Sequence, residues 1–328
     1  MSAGTAHPRR AALALAAAAG IAAAARAQAP AWPSRSVRVV VPTVPGGALD
    51  TVARLLCQRL GEALGQNFVV ENRGGAAGIT GMDTVAKATP DGHTLLFAAA
   101  PIALNTALGM TLPYDPLRDF APISLVASIP TLVVAHPATP FHTLADLVEA
   151  GRAPQGIAMG VANAGAVTHL MAEVLRARSG QGFTVVTYRG AGQGIQDVLA
   201  GRVQAFYDAL VPTGQQVQAG RLRGIAIGSR HRSPLLPEVA TVVEQGMPEL
   251  LGSGFYGLLA PARAPEAAVR AVHAAATAVL MEGGEVRRRL LELGYEVEAT
   301  TPEGYGAFIR AEIERWTPVV RAAGIKVE

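Results

Sequence analysis

Read as a pattern of apolar and polar positions, the chain alternates short β-branched runs with amphipathic stretches at helical spacing. That alternation predicts an α/β fold on mostly parallel sheets flanked by helices. Residues 37–41, Val-Arg-Val-Val-Val, are apolar but for Arg38, close to the form of a strand covered on both faces. From Asp50 onward, Val52, Leu55, Leu56, Leu60, Ala63 and Leu64 recur at helical spacing until Gly65 ends the helix. Strands are predicted at 68–70 and 94–98, with a helix at 79–88 between them. Residues 109–122 carry Pro113, Pro116 and Pro122 and read as a surface connection. Two strands, 123–126 and 131–134, then stand close together with Pro130 between them. A second series follows, with strands at 157–159, 184–187, 203–207 and 222–227 and helices at 167–177 and 194–200. After a strand at 255–259, three helices close the chain. The last presents Tyr305, Phe308, Ile309, Ile313, Trp316 and Val320 on one face, a packing stripe.

The N-terminus changes the picture. Arg9-Arg10, an apolar run from Ala11 to Ala25 and the small residues Ala25 and Ala27 predict a signal peptide, residues 1–27, cleaved after Ala27. The run is shorter than the roughly 20 residues that span a bilayer. The mature protein is therefore expected in the periplasm. Removing residues 1–27 takes Lys+Arg from 28 to 25 against 25 Asp+Glu. A near-neutral mature chain argues against nucleic acid as a partner. The single cysteine, Cys57, excludes an internal disulfide and reads as a small core residue.

In open α/β sheets, ligands sit beyond the carboxyl ends of the strands, where loops lead into helices. Three loops have the composition for an anion. The first holds Thr43, Val44, Gly46 and Gly47, whose amides are free to face a ligand, and Asp50, which reads mainly as a cap. The second holds Asn163, Ala164, Gly165 and Ala166, followed by Thr168 and His169. His169 reads as structural, because no Asp, Glu or Ser is placed to make it a base. The third runs from Tyr188 through Arg189 and Gly190 to Gly194 and partly imitates a dinucleotide fingerprint. Its third glycine comes one residue early and no acidic residue follows to hold a ribose, so no nucleotide is expected. Residues 72–78 read as a turn and helix start lining one side. With charge so scarce, an anion there would be held by amide dipoles and neutral donors. Four or five such contacts leave about −8 kcal/mol, a micromolar dissociation constant. Nucleophile elbow, zinc and P-loop motifs are absent, so no catalytic residue, metal or cofactor is expected.

Several segments together resemble the tripartite tricarboxylate transporter substrate-binding family, the Bug receptors. They are Trp32-Pro33-Ser34, Pro45-Gly46-Gly47 with Asp50 and Arg54, Glu71-Asn72-Arg73-Gly74-Gly75, Pro90-Asp91-Gly92-His93-Thr94-Leu95-Leu96, Thr168-His169-Leu170, Tyr188-Arg189-Gly190, Gly201-Arg202-Val203 and Leu236-Pro237-Glu238-Val239. The resemblance implies a two-lobed periplasmic-binding-protein fold of the type II, Venus-flytrap kind. It places lobe 1 at 28–125 and 230–328 and lobe 2 at 126–229. It implies a small carboxylate (a di- or tricarboxylate, acidic amino acid or aromatic acid) held between the 44–50 and 163–169 loops, with residues 98–105 and Asp208 bordering the site; Tyr188, from the third loop, is counted among the ligand-binding residues. It further implies a monomer that binds without turnover and hands its ligand to a membrane permease. Arg189 and His93 depart from the family's usual lysine and aromatic. A periplasmic α/β enzyme acting on an anion, or a sensor for a signalling partner, are the alternative readings.

Overall fold

The structure is a computed structural model that describes residues 32–180, 182–281 and 283–325; the expected signal peptide lies outside them. Strand β1 (Val37–Val41) pairs in parallel with β2 (Phe68–Asn72) and β3 (Thr94–Ala99). Helices α1 (Ala48–Leu64), α2 (Ile79–Ala86) and α3 (Pro101–Ala107) connect and cover them. The expected strands at 123–126 and 131–134 are one strand, β4 (Phe120–Ala135), 16 residues long. Its first part pairs antiparallel with β9 (Ser253–Pro261) up to Pro130, and β9 pairs with β3. From Thr131 it pairs antiparallel with β7 (Ala205–Ala209) and β8 (Arg223–Ile227). Proline lacks an N–H for the ladder, and Pro130 sits where one set of partners ends and the next begins. A breaker in the sequence thus marks a change of sheet within an unbroken strand.

The second sheet continues in parallel from β7 to β5 (Ile157–Ala162) and β6 (Phe183–Tyr188). Helices α4 (Leu144–Arg152), α5 (Val167–Ser179), α6 (Ala191–Leu199) and α7 (Leu210–Gln218) cover it. The short helices α3, α4 and α7 show no clear helical period in the sequence, although the equally short α2 and α6 do. A capping box at Thr143 and Asp146 does mark the start of α4. After β9 come α8 (Glu266–Met281), α9 (Glu285–Glu292), the short β10 (Glu296–Val297) paired with β4, and α10 (Pro302–Ala323).

Where the chain returns between sheets, Gly228 and Gly252 cross at Thr131. Thr131 Oγ1 donates to Gly252 O at 2.9 Å, and Gly228 N–H donates to Thr131 O at 2.8 Å. A Cβ on Gly228 would stand 2.1 Å from Thr131 Oγ1, so only glycine fits there. The predicted stripe on α10 serves two cores. Tyr305 and Ile309 pack with Phe255 and Leu259 on the first sheet, whereas Trp316 and Val320 pack with Val133, Met159 and Leu170 on the second. Cys57 is buried beneath α1, and burial pushes its thiol up to about 12. Ellman's reagent is therefore expected to modify it only on unfolding; rapid reaction with the native protein would contradict this packing.

Candidate functional site

The carboxyl ends of β1, β3 and β5 converge on a cleft between the two sheets. Two adjoining cavities of about 450 and 480 Å³ share Ala77, Ala99, Pro101 and Tyr256 and form one space. A larger cavity of about 650 Å³ lies on the outer face between α1 and β2 and opens broadly to solvent. No residue of the second sheet lines it, so the shared cleft is the candidate site. One wall is made by Thr43, Val44, Ala48 and Leu49 with residues 74–78, and the other by residues 163–167.

The walls are mostly backbone. Among the described residues, the N–H groups of Val44, Ala76, Ala77 and Ala164 donate to no protein acceptor. Ala76, Ala77 and Asn163 hold the left-handed conformation, with φ of 45°, 52° and 58°. Such backbone costs about 1–3 kcal/mol per residue unless the surrounding fold imposes it, and it gathers at binding sites. Among the described residues, no Lys, Arg, Asp or Glu lines either cavity. The chemistry on offer is a set of preplaced amide dipoles, suited to an anion that needs no arginine clamp.

Of the residues singled out from sequence, Thr43, Val44, Asn163, Ala164, Gly165 and Ala166 line the cleft. Gly46 and Gly47 complete the first loop beside it, Gly46 in the left-handed region at φ 85°. Asp50 is turned inward. Its carboxylate accepts from Gly46 N–H at 2.9 Å, Arg54 Nε at 3.0 Å and Asn72 Nδ2 at 2.9 Å. The Arg54 contact, supported by the Gly46 and Asn72 donors, outweighs burial and holds the carboxyl down to about 2. Thr168 and His169 are buried in the first turn of α5, and His169 Nδ1 accepts from Gly165 N–H at 2.9 Å. The sequence reading found no acid placed for His169, yet Glu173, one turn further on, stands 3.7 Å from its Nε2. The spacing of four residues within a helix was the available signal.

Tyr188 ends β6 and donates its hydroxyl to Asp197 at 2.9 Å, lining neither cavity. Arg189 beyond it is exposed. His93 packs against Trp32 at the amino end of β3, the end remote from the cleft. Tyr256, on β9, and Asn105, on α3, line the cleft. Tyr256 went unnoticed because nothing separates it from an ordinary apolar strand position.

Asp208 sits near the carboxyl end of β7, one position beyond the Val161–Tyr207 pair of the β5–β7 ladder. It is 8% exposed, and its Oδ2 has no partner among the described residues. Burial pushes its carboxyl up to about 6. A carboxyl raised in the folded state contributes stability that is present below the unfolded value and lost as pH rises through the folded one. Asp208→Asn is therefore expected to raise stability at pH 7–8 by up to about 2 kcal/mol and to flatten the decline between pH 4 and 6. Melting temperature against pH measures this; an unchanged profile would show that the carboxyl finds a partner in solution.

Comparisons with known proteins bear on this geometry. Residues 52–325 match the family model described as the tripartite tricarboxylate transporter family receptor. Protein BugT of Bordetella pertussis is 34% identical over 300 residues, which are 90% of this chain and 92% of BugT. The periplasmic binding protein BugD superposes with a TM-score of 0.71 at 31% identity, covering 90% of this chain and 100% of BugD. A Rhodopseudomonas palustris protein solved with adipate superposes with a TM-score of 0.74 at 33% identity, covering 90% of this chain and 99% of that one.

Proposed function

The chain belongs to the tripartite tricarboxylate transporter receptor family, and from that premise we propose that it closes its two lobes on a small carboxylate and delivers it to a membrane permease. The family and the fold are those of solute-binding receptors. The observation that carries the ligand class is the cleft itself, walled by unpaired amides and free of charged side chains. Oxygen atoms of a carboxylate satisfy such amides from both walls at once, which favours the closed arrangement of the lobes.

The ligand-binding residues in this reading are Thr43, Val44, Gly46, Gly47, Asn163, Ala164, Gly165 and Ala166, with the unpaired Val44 and Ala164 amides as the donors from the two walls. Asp50, Thr168 and His169 shape the two loops, and Tyr188 and Asp208 stand on the second lobe's side of the site, at the carboxyl ends of β6 and β7. The lobes divide near residue 130 within β4 and near residue 251 on the return, since Val242, Met247 and Leu250 still pack in the second core. The receptor acts as a monomer in the periplasm, reached through the signal peptide at residues 1–27.

Thermal unfolding of the mature protein against di- and tricarboxylates, acidic amino acids and aromatic acids tests the proposal. A carboxylate at 100 times its dissociation constant is expected to stabilise by about 2.7 kcal/mol, a rise of several degrees. Its monoamide is expected to do far less. Equal shifts with neutral amides would sink the carboxylate reading.

A further inference from the structure

Both ligand loops are pinned in the same way, but by different chemistry. In the first, Asp50 accepts the N–H of Gly46, four residues back; in the second, His169 Nδ1 accepts the N–H of Gly165, again four residues back. A carboxylate accepts whenever it is ionised, whereas a neutral imidazole accepts only at the nitrogen that carries no proton. The second pin therefore works only while the ring proton sits on Nε2. Glu173 Oε1 lies 3.7 Å from that Nε2, and Glu173 Oε2 is held by Arg176 Nε. The Glu173 side chain is 9% exposed. Burial opposes its ionisation, yet the His169 and Arg176 contacts outweigh it and keep the carboxyl below its usual range. The loop needs such support, because Asn163 holds left-handed backbone at φ 58°.

We propose that Glu173 is the positioning residue of the second ligand loop: its carboxylate keeps the His169 proton on Nε2, so that Nδ1 pins Gly165 and the loop holds its ligand-ready shape. This rests on residues 163–167 forming a ligand wall, but the pin can be read without any ligand.

The test uses the whole mature chain, free of ligand. Nitrogen NMR of His169 is expected to show the Nε2–H tautomer, and hydrogen exchange a protected Gly165 amide. Glu173→Met removes the acceptor, and mixed tautomers with roughly tenfold faster Gly165 exchange are expected. Glu173→Gln keeps an acceptor oxygen and is expected to stay near wild type. His169→Asn places an oxygen where Nδ1 stood and is expected to keep Gly165 protected, whereas His169→Gln is expected to release it. Affinity for adipate, malate or citrate, whichever wild type binds, is expected to fall about tenfold in Glu173→Met and His169→Gln only. An unaltered tautomer and unaltered Gly165 exchange in Glu173→Met would overturn the proposal. So would a His169→Asn variant released as fully as His169→Gln. If wild type binds no acid of the panel named above while the pin behaves as described, the carboxylate reading falls and the positioning role stands.

Discussion

Asp50→Ala is expected to destabilise the protein by about 2–4 kcal/mol and to weaken carboxylate binding at least about 100-fold. The carboxylate serves three donors at once, Gly46 N–H, Arg54 and Asn72. Each buried donor left without its acceptor costs about 1–3 kcal/mol, with Arg54 contributing least because half its side chain lies in water. The larger effect falls on the first ligand loop. Gly46 is freed from its left-handed turn, and the preplacement of the Val44 amide goes with it. Urea denaturation and titration calorimetry on the same preparation measure both losses. Asp50→Asn keeps an oxygen for Gly46 and is expected to fall between. Asp50 also shapes the acid limb of stability. Its carboxyl is lowered from 3.8 to about 2 on folding, so its contribution is fully present above the unfolded value and lost as pH falls through 2. The wild-type decline between pH 4 and 2 is expected to be shallower in Asp50→Asn. An alanine variant that still binds carboxylate at wild-type strength would remove Asp50 from the site altogether.

The largest loss of stability is expected from Trp316→Ala, about 3–5 kcal/mol. Trp316 is fully buried, and its Nε1–H donates to Glu312 at 2.8 Å while the Arg315 guanidinium lies 4.2 Å above its ring. Truncation opens a cavity in the second core and strips a hydrogen bond from Glu312, whose carboxyl burial already raises. Trp316→Phe retains most of the volume and is expected to lose roughly half as much. The urea midpoint and slope are the readouts. A loss under about 1 kcal/mol would mean that α10 contributes little to the second core, and a transition split in two would mean that the helix is what makes the lobes unfold together.

Much of this architecture was legible in the sequence because both of its signals are strong. Valines at 37 and 39–41 can form only a strand covered on both faces, and the six-residue stripe on α10 does mark a buried face. What the stripe could not show is that its two ends face different cores, since periodicity records burial and not the neighbour that provides it. Pro130 misled for a related reason. Local chemistry says that proline breaks a ladder, but only the arrangement of β7, β8 and β9 reveals that a break was needed in the partners and not in the strand. The cleft loops were readable from Gly46, Gly47 and Asn163 to Ala166, because small residues before a helix let a ligand approach the backbone. Residues 72–78 were readable as lining one side, but the left-handed backbone of Ala76 and Ala77 was not, since alanine carries no mark of the backbone it has been made to adopt, and neither was Tyr256.

The division of α10 between two cores also fixes an order of assembly. The second lobe's strands and helices are complete by Leu250, yet its interior lacks Trp316 and Val320 until nearly the whole chain is present. A chain made amino end first completes neither core until its last helix is present. The last helix acts as a keystone set after the arch is raised.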